Sequence, residues 1–147
     1  MNDFHRFSKR FGKIQGKLQE QAEREYAYAL SQIVSVTEQI ASLKDELTMA
    51  MHNRADISLL QDWPLWEQRV RYLQQQLMRY QEWLSELEGQ ANLKRTQLHK
   101  AHQQSEKWKS IVGKLDEEWQ AEVAASVQRE ADEVAMIRFG RSQTAGG

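Results

Sequence analysis

Apolar residues recur along the second half of the chain with a period that does not slip. The row reads Trp66, Val70, Leu73, Leu77, Tyr80, Leu84, Leu87, Ala91, Lys94, Leu98, Ala101, Ser105, Trp108, Val112, Leu115 and Trp119, in alternating steps of four and three. Only Lys94 and Ser105 are polar. An apolar period of about 3.5 residues sustained this long predicts a helix that buries a narrow stripe against another helix, rather than a globular core around a pocket.

The first half carries the same signal in two pieces. An early row reads Phe4, Phe7, Phe11, Ile14, Leu18, and a later one Ala22, Tyr26, Ala29, Ile33, Val36, Ile40, Leu43, Leu47. Where they join, steps of four repeat at Leu18, Ala22 and Tyr26. Such a repeat is a stutter, expected to unwind the supercoil locally. A second stutter is expected at Leu115, Trp119, Val123 and Val127.

The two periodic segments are separated by HNRADISLLQDWPLW, residues 52–66. Asp62 suits a helix N-cap, and Pro64 suits a first turn, where its missing N–H goes unmissed. Glu67 adds favourable negative charge near that helix end. The expected organisation is one all-α domain over residues 1–139: helix one at about 3–52, a loop at about 53–61 and helix two at about 62–138, with 140–147 a disordered tail. A connection so short returns the second helix antiparallel to the first. The fold class is therefore an antiparallel two-helix coiled-coil hairpin with a longer second helix. Whether the seam closes within one chain or between two stays open.

Folding back near residue 57 places residue i opposite roughly 115 − i by the even rise of two helices. Helix one is then used up near residue 112 of helix two. The remainder of helix two is left unpaired, still carrying Trp119, Val123, Val127, Ala131 and Val134. A lone helix with an apolar stripe asks for a partner. Lys94, on the seam, is expected near Glu20 and Glu23 and to turn outward to one of them.

Composition narrows the function classes. The chain has 147 residues, one Pro and no Cys, which excludes disulfides and thiolate metal sites. It contains no apolar run near the roughly 18 residues of a membrane span and no signal-peptide apolar region at its start, so a cytoplasmic protein without direct membrane insertion is expected. The net charge of −1 hides three blocks. Residues 1–19 hold five cations against Asp3; residues 94–114 hold six against Glu106; residues 115–137 hold seven acids against Arg129. The hairpin brings the two basic blocks together, a mild repulsion better explained by something acidic outside.

Chemistry-bearing constellations are sparse. His99 and His102 lie three apart at outward heptad positions and read as solvated. Glu117 and Glu118 have no pocket to tune them for acid–base work. Neither a phosphate-binding loop nor a G-x-S-x-G elbow occurs. No enzyme activity, cofactor or metal is expected. Phe4, Phe7 and Phe11 interleave with Arg6, Lys9 and Arg10, as in single-strand binders, but their spacing is that of a seam; no nucleic-acid partner is expected. Of the five Trp, Trp66, Trp108 and Trp119 fall on the seam, Trp83 beside it and Trp63 at the tip. At a tip there is little to pack against, which makes Trp63 a candidate binding anchor.

The segment EKWKSIVGKLDEEWQAEVAASVQREADEVAMIRF resembles the C-terminal pattern of the FliJ/YscO family of type III secretion. That pattern is E-K, a charged helix, then D-E-x-A followed by a basic residue, here Glu106, Lys107, Asp132, Glu133, Ala135 and Arg138. The chain departs in opening with phenylalanines where the family often uses leucines. The resemblance implies a non-enzymatic central stalk inserted in a hexameric export ATPase, reaching the cytoplasmic domain of the export gate and handling export chaperones. It also implies a place at the cytoplasmic side of the inner-membrane export apparatus. On this reading Arg6, Lys9, Arg10, Lys13, Lys107, Lys109, Trp119, Asp132, Glu133 and Arg138 would face the ATPase ring. Trp63, Trp66, Arg69 and Val70, at the tip, would face the gate or a chaperone. The alternative from another class is a homodimeric coiled-coil scaffold with no ATPase partner, in which acidic residues 115–137 of one chain meet basic residues 1–19 of another.

Overall fold

A computed structural model describes residues 2–56 and 62–145. The described residues form helix α1 (Asp3–His52), a 3₁₀ turn (Asn53–Asp56) and helix α2 (Trp63–Ala145), with no strand among them. The two helices pack on each other as an antiparallel hairpin whose second helix is the longer. Residues 57–61 of the expected loop and 146–147 of the expected tail lie outside the described residues.

Asn2 caps α1: the backbone N–H of His5 donates to its Oδ1 at 2.7 Å. That satisfies one of the donors a helix N-terminus leaves without an intrahelical acceptor. α2 opens at Trp63 with Pro64 in its first turn. It does not stop near Arg138 but continues to Ala145, which corrects the expected tail over 140–145. The reason is local. Gly140 does not take the left-handed conformation that ends many helices, so it interrupts nothing.

The chain divides into two compact units. One pairs Gln19 onward in α1 with α2 as far as Ala101. Its core is Val36, Ile40 and Leu87, with Ile33, Leu77, Tyr80 and Leu84 packed against them. Ala29, Val70, Leu73 and Ala91 are also buried. Each large aliphatic side chain taken fully from water contributes about 1.5–3 kcal/mol. Ion pairs cross between the antiparallel helices: Arg69 Nη2 donates to Glu46 Oε2 at 3.3 Å and Lys94 Nζ to Glu25 Oε2 at 3.1 Å. Lys94 does leave the seam for a carboxylate, but for Glu25 rather than Glu20 or Glu23. The Lys94 ammonium and the Gln21 amide hold the Glu25 carboxyl below its ordinary pKa.

The other unit pairs residues 2–18 with residues 102–145. Here the expected seam is displaced. Phe4, Phe7, Ile14 and Leu18 are about half exposed, while His5 and Ser8 are buried and Gly12 and Gln15 partly so. Along α1 an unbroken row of covered positions runs His5, Ser8, Gly12, Gln15, then Gln19, Ala22, Tyr26, Ala29, Ile33, Val36, Ile40, Leu43, Leu47 and Ala50, with Lys9, Phe11, Gly16, Glu25 and Gln32 partly covered beside it. The steps of the row alternate three and four throughout, so α1 has no stutter. A one-residue change of phase would carry the stripe around the helix, so the heptad phase set by the long aliphatic rows outweighs the local pull of the phenylalanines. Small residues at the inherited positions allow close approach: a Cβ built on Gly12 would lie 3.6 Å from Val112 Cγ2. On α2 the expected seam holds, every position from Trp66 to Leu115 being buried or partly buried.

Candidate interaction site

The first unit is where the chain leaves surface uncommitted. His5, 3 % exposed, meets Asp116 Oδ1 through Nε2 at 2.6 Å, and Lys9 Nζ reaches the same oxygen at 3.2 Å. An ionised carboxylate only accepts hydrogen bonds, so His5 carries its proton on Nε2. The His5 hydrogen bond, then that of Lys9, holds the Asp116 carboxyl below its ordinary pKa. Pairing therefore reaches Asp116, the first acid of the acidic block and a turn beyond the expected end near residue 112. From Glu117 to Gln143 every residue of α2 is exposed. The expected second stutter lies on this unpaired stretch, where there is no seam to unwind.

Beside the seam stands an aromatic group. Phe7 stacks on Phe11 with centroids 5.6 Å apart, and Trp108 meets Phe11 edge-on at 4.6 Å. Such contacts add about 0.5–1.5 kcal/mol beyond area burial and hold the exposed Phe7 face in place. Ser8 and Ser105 are fully covered, and their hydroxyls have no hydrogen-bond partner among the described residues.

The residues expected to face an ATPase ring all fall in this unit. Arg6, Arg10, Lys13, Lys107, Lys109, Glu133 and Arg138 are exposed; Lys109 leans on Glu106 at 3.4 Å. Asp132, also exposed, accepts from Gln128 Nε2 at 3.0 Å. Trp119, Val123, Val127 and Val134 form an exposed apolar row. Lys9 is different, being bound to Asp116 and only partly exposed. His5 and Asp116 were missed by sequence reasoning because a histidine beside Phe4 falls off the phenylalanine row. The uninterrupted three–four phase traced back from Ile40 would have found it.

The second unit contains the tip residues. Trp63 is not a bare anchor: its ring lies 5.0 Å from that of Trp66, and the Arg54 guanidinium sits over both at 5.1 and 5.7 Å. Trp66 Nε1 donates to the Ala50 carbonyl at 2.7 Å and Trp63 Nε1 to Glu67 at 3.0 Å. What the tip does offer Trp63 to pack against is Trp66 and Arg54. Arg69 is exposed and paired with Glu46. Val70 is buried in the seam, so its side chain is withdrawn from any partner. His99 and His102 are exposed. No group of three or more potential metal ligands occurs among the described residues, and no helix there is long and apolar enough to cross a membrane.

These features define a class: an all-α, two-helix coiled-coil protein whose distinctive surfaces are side-chain stripes rather than a cleft. The family of the flagellar FliJ protein matches residues 10–144, nearly the whole chain, and the chain belongs to that family, the FliJ/YscO family of type III export. It is thus a flagellar export-associated coiled-coil protein. No individual curated protein and no solved structure matches it.

Proposed function

We propose that this chain is the non-enzymatic coupling stalk of the flagellar export ATPase. The observation that carries the reading is the first unit: α2 outruns its partner after Asp116 and presents an exposed apolar row with flanking acids, next to a base rich in exposed cations. A hexameric ATPase would receive this end through Arg6, Arg10, Lys13, Lys107, Lys109, Trp119, Asp132, Glu133 and Arg138. Lys9 would serve instead through its bond to Asp116, keeping the start of α1 seated. The Trp63–Trp66–Arg54 group and Arg69 would meet the cytoplasmic domain of the export gate or an export chaperone. The working place would be the cytoplasmic face of the export apparatus. An asymmetric helix inside a ring acts only through contacts that differ between ring states, biasing one subunit against the next.

The test is ATP hydrolysis by the purified export ATPase with increasing amounts of this protein, with ring assembly followed by light scattering. Wild type should raise turnover and drive assembly. Joint reversal of Arg6, Arg10, Lys13 and Lys107 to Glu should abolish both while helicity is retained. Undiminished stimulation by that variant would refute the reading.

A further inference from the structure

Two apolar stripes bordered by opposite charge lie in the first unit, and neither is fully covered by the described residues. On α1, Phe4, Phe7, Ile14 and Leu18 form a row beside the seam, about half exposed. Arg6, Arg10, Lys13 and Lys17 follow that row on the side turned away from α2, by the helical spacing of about 100° per residue. On α2, Trp119, Val123, Val127 and Val134 form the second row, exposed and bordered on one side by Glu118, Glu122 and Glu133. The rows match in length, roughly 21 Å for residues 4–18 and 23 Å for residues 119–134 at 1.5 Å per residue.

We propose that these stripes are the two halves of a self-association surface, the end of α2 in one copy lying on the α1 stripe of a second copy and the reverse. Each half is largely apolar along its centre, Glu130 standing among the valines of α2, and the two carry opposite charge along their edges. An unpartnered apolar helix face is the feature that marks such contacts. In this reciprocal arrangement both seams form between the same two copies, so the pair closes with each surface used once. The Phe7–Phe11–Trp108 stack keeps the receiving face ordered before contact. Charge along the edges makes the pair weaken with salt. The pair would also cover surfaces that the stalk reading offers to the ATPase, making it a resting form; this last consequence alone rests on that reading.

The test uses the full-length protein by itself, in sedimentation equilibrium over a wide concentration range. Wild type should pass from monomer to dimer, with weaker association at high salt. Arg10→Glu with Lys17→Glu should weaken pairing about ten-fold or more through like charges, and so should Glu122→Lys with Glu133→Lys. Mixed one to one, the two variants restore opposite charge at both seams of a heterodimer and should pair as wild type does. Circular dichroism of each variant checks that it is folded. A wild type that stays monomeric throughout leaves the stripes to another kind of partner and overturns the proposal. Variants that pair like wild type, or a mixture that stays monomeric, overturn it as well.

Discussion

Ile14 and Ile40 are the same residue, each on an apolar row of α1 with three–four spacing, yet they sit in different surroundings. Ile40 is 7 % exposed and packs with Val36 and Leu87; Ile14 is 51 % exposed. Truncation to alanine removes three carbons, worth about 2.4 kcal/mol at about 0.8 kcal/mol for each one fully buried. At Ile40 the cavity left behind adds to that loss. A two-helix seam can partly close around the gap, and alanine returns a few tenths of a kcal/mol in helix propensity, so Ile40→Ala should cost about 2–3 kcal/mol. At Ile14 half the transfer loss is already absent, and the same propensity gain leaves about 0.5 kcal/mol. For a chain of this size about 2–4 °C accompany each kcal/mol, so the Ile40 variant should melt roughly 5–10 °C lower and the Ile14 variant within about 2 °C of wild type. Urea and thermal unfolding followed by far-ultraviolet circular dichroism, at low micromolar concentration, give both numbers. Equal losses at the two sites would refute the seam through His5, Ser8, Gly12 and Gln15 and restore the phenylalanine row to it.

Removing the partnerless hydroxyl of Ser105 by alanine should raise stability by about 1 kcal/mol in the same unfolding assay, since a buried polar group without a hydrogen bond costs that order. Gly89 has open space around the position of a Cβ, so Gly89→Ala should stabilise by about 0.8–1 kcal/mol through helix propensity alone. The carboxyls of Asp116 and Glu25 are both held low by their partners in the folded chain. Their contribution is therefore complete above the ordinary carboxylate range and is lost as pH falls through the lowered values. Denaturation midpoints from pH 7 down to pH 2 should show this acid loss, and Asp116→Asn with Glu25→Gln should make it shallower; an unchanged slope in that double variant would count against the pairs.

The second helix was legible in the sequence because its stripe is made of large side chains whose own burial sets its phase. The same holds for α1 from Ala22 to Leu47. At the start of α1 two demands conflict. Hydrophobicity favours Phe4, Phe7 and Phe11, while continuity of the heptad favours His5, Ser8 and Gly12, and continuity prevails because the helix is one continuous element already phased by Val36 and Ile40. A residue-by-residue reading of hydrophobicity cannot see that constraint. The tip was illegible for another reason: Arg54 covers Trp63 and Trp66 from a 3₁₀ turn that no periodicity announces.

The charge blocks make sense once Asp116 is placed. A short antiparallel connection sets residues 2–18 against residues 102–116, and both stretches are basic, which alone would loosen that end of the pairing. The acidic block begins at the point where α1 runs out, so its first member can pair with Lys9 and bond the buried His5, and the rest is carried past the pair on α2. Phe4 and Phe7, turned out beside the seam, then lie next to that basic base, and the valines of α2 lie among acids. A sequence that merely needed a stable hairpin would place leucines at positions 5, 8 and 12 and scatter its charges. This one keeps a histidine, a serine and a glycine there and sorts its charges by sign. That arrangement weakens the pair of helices within the chain and leaves two complementary faces for contacts outside it.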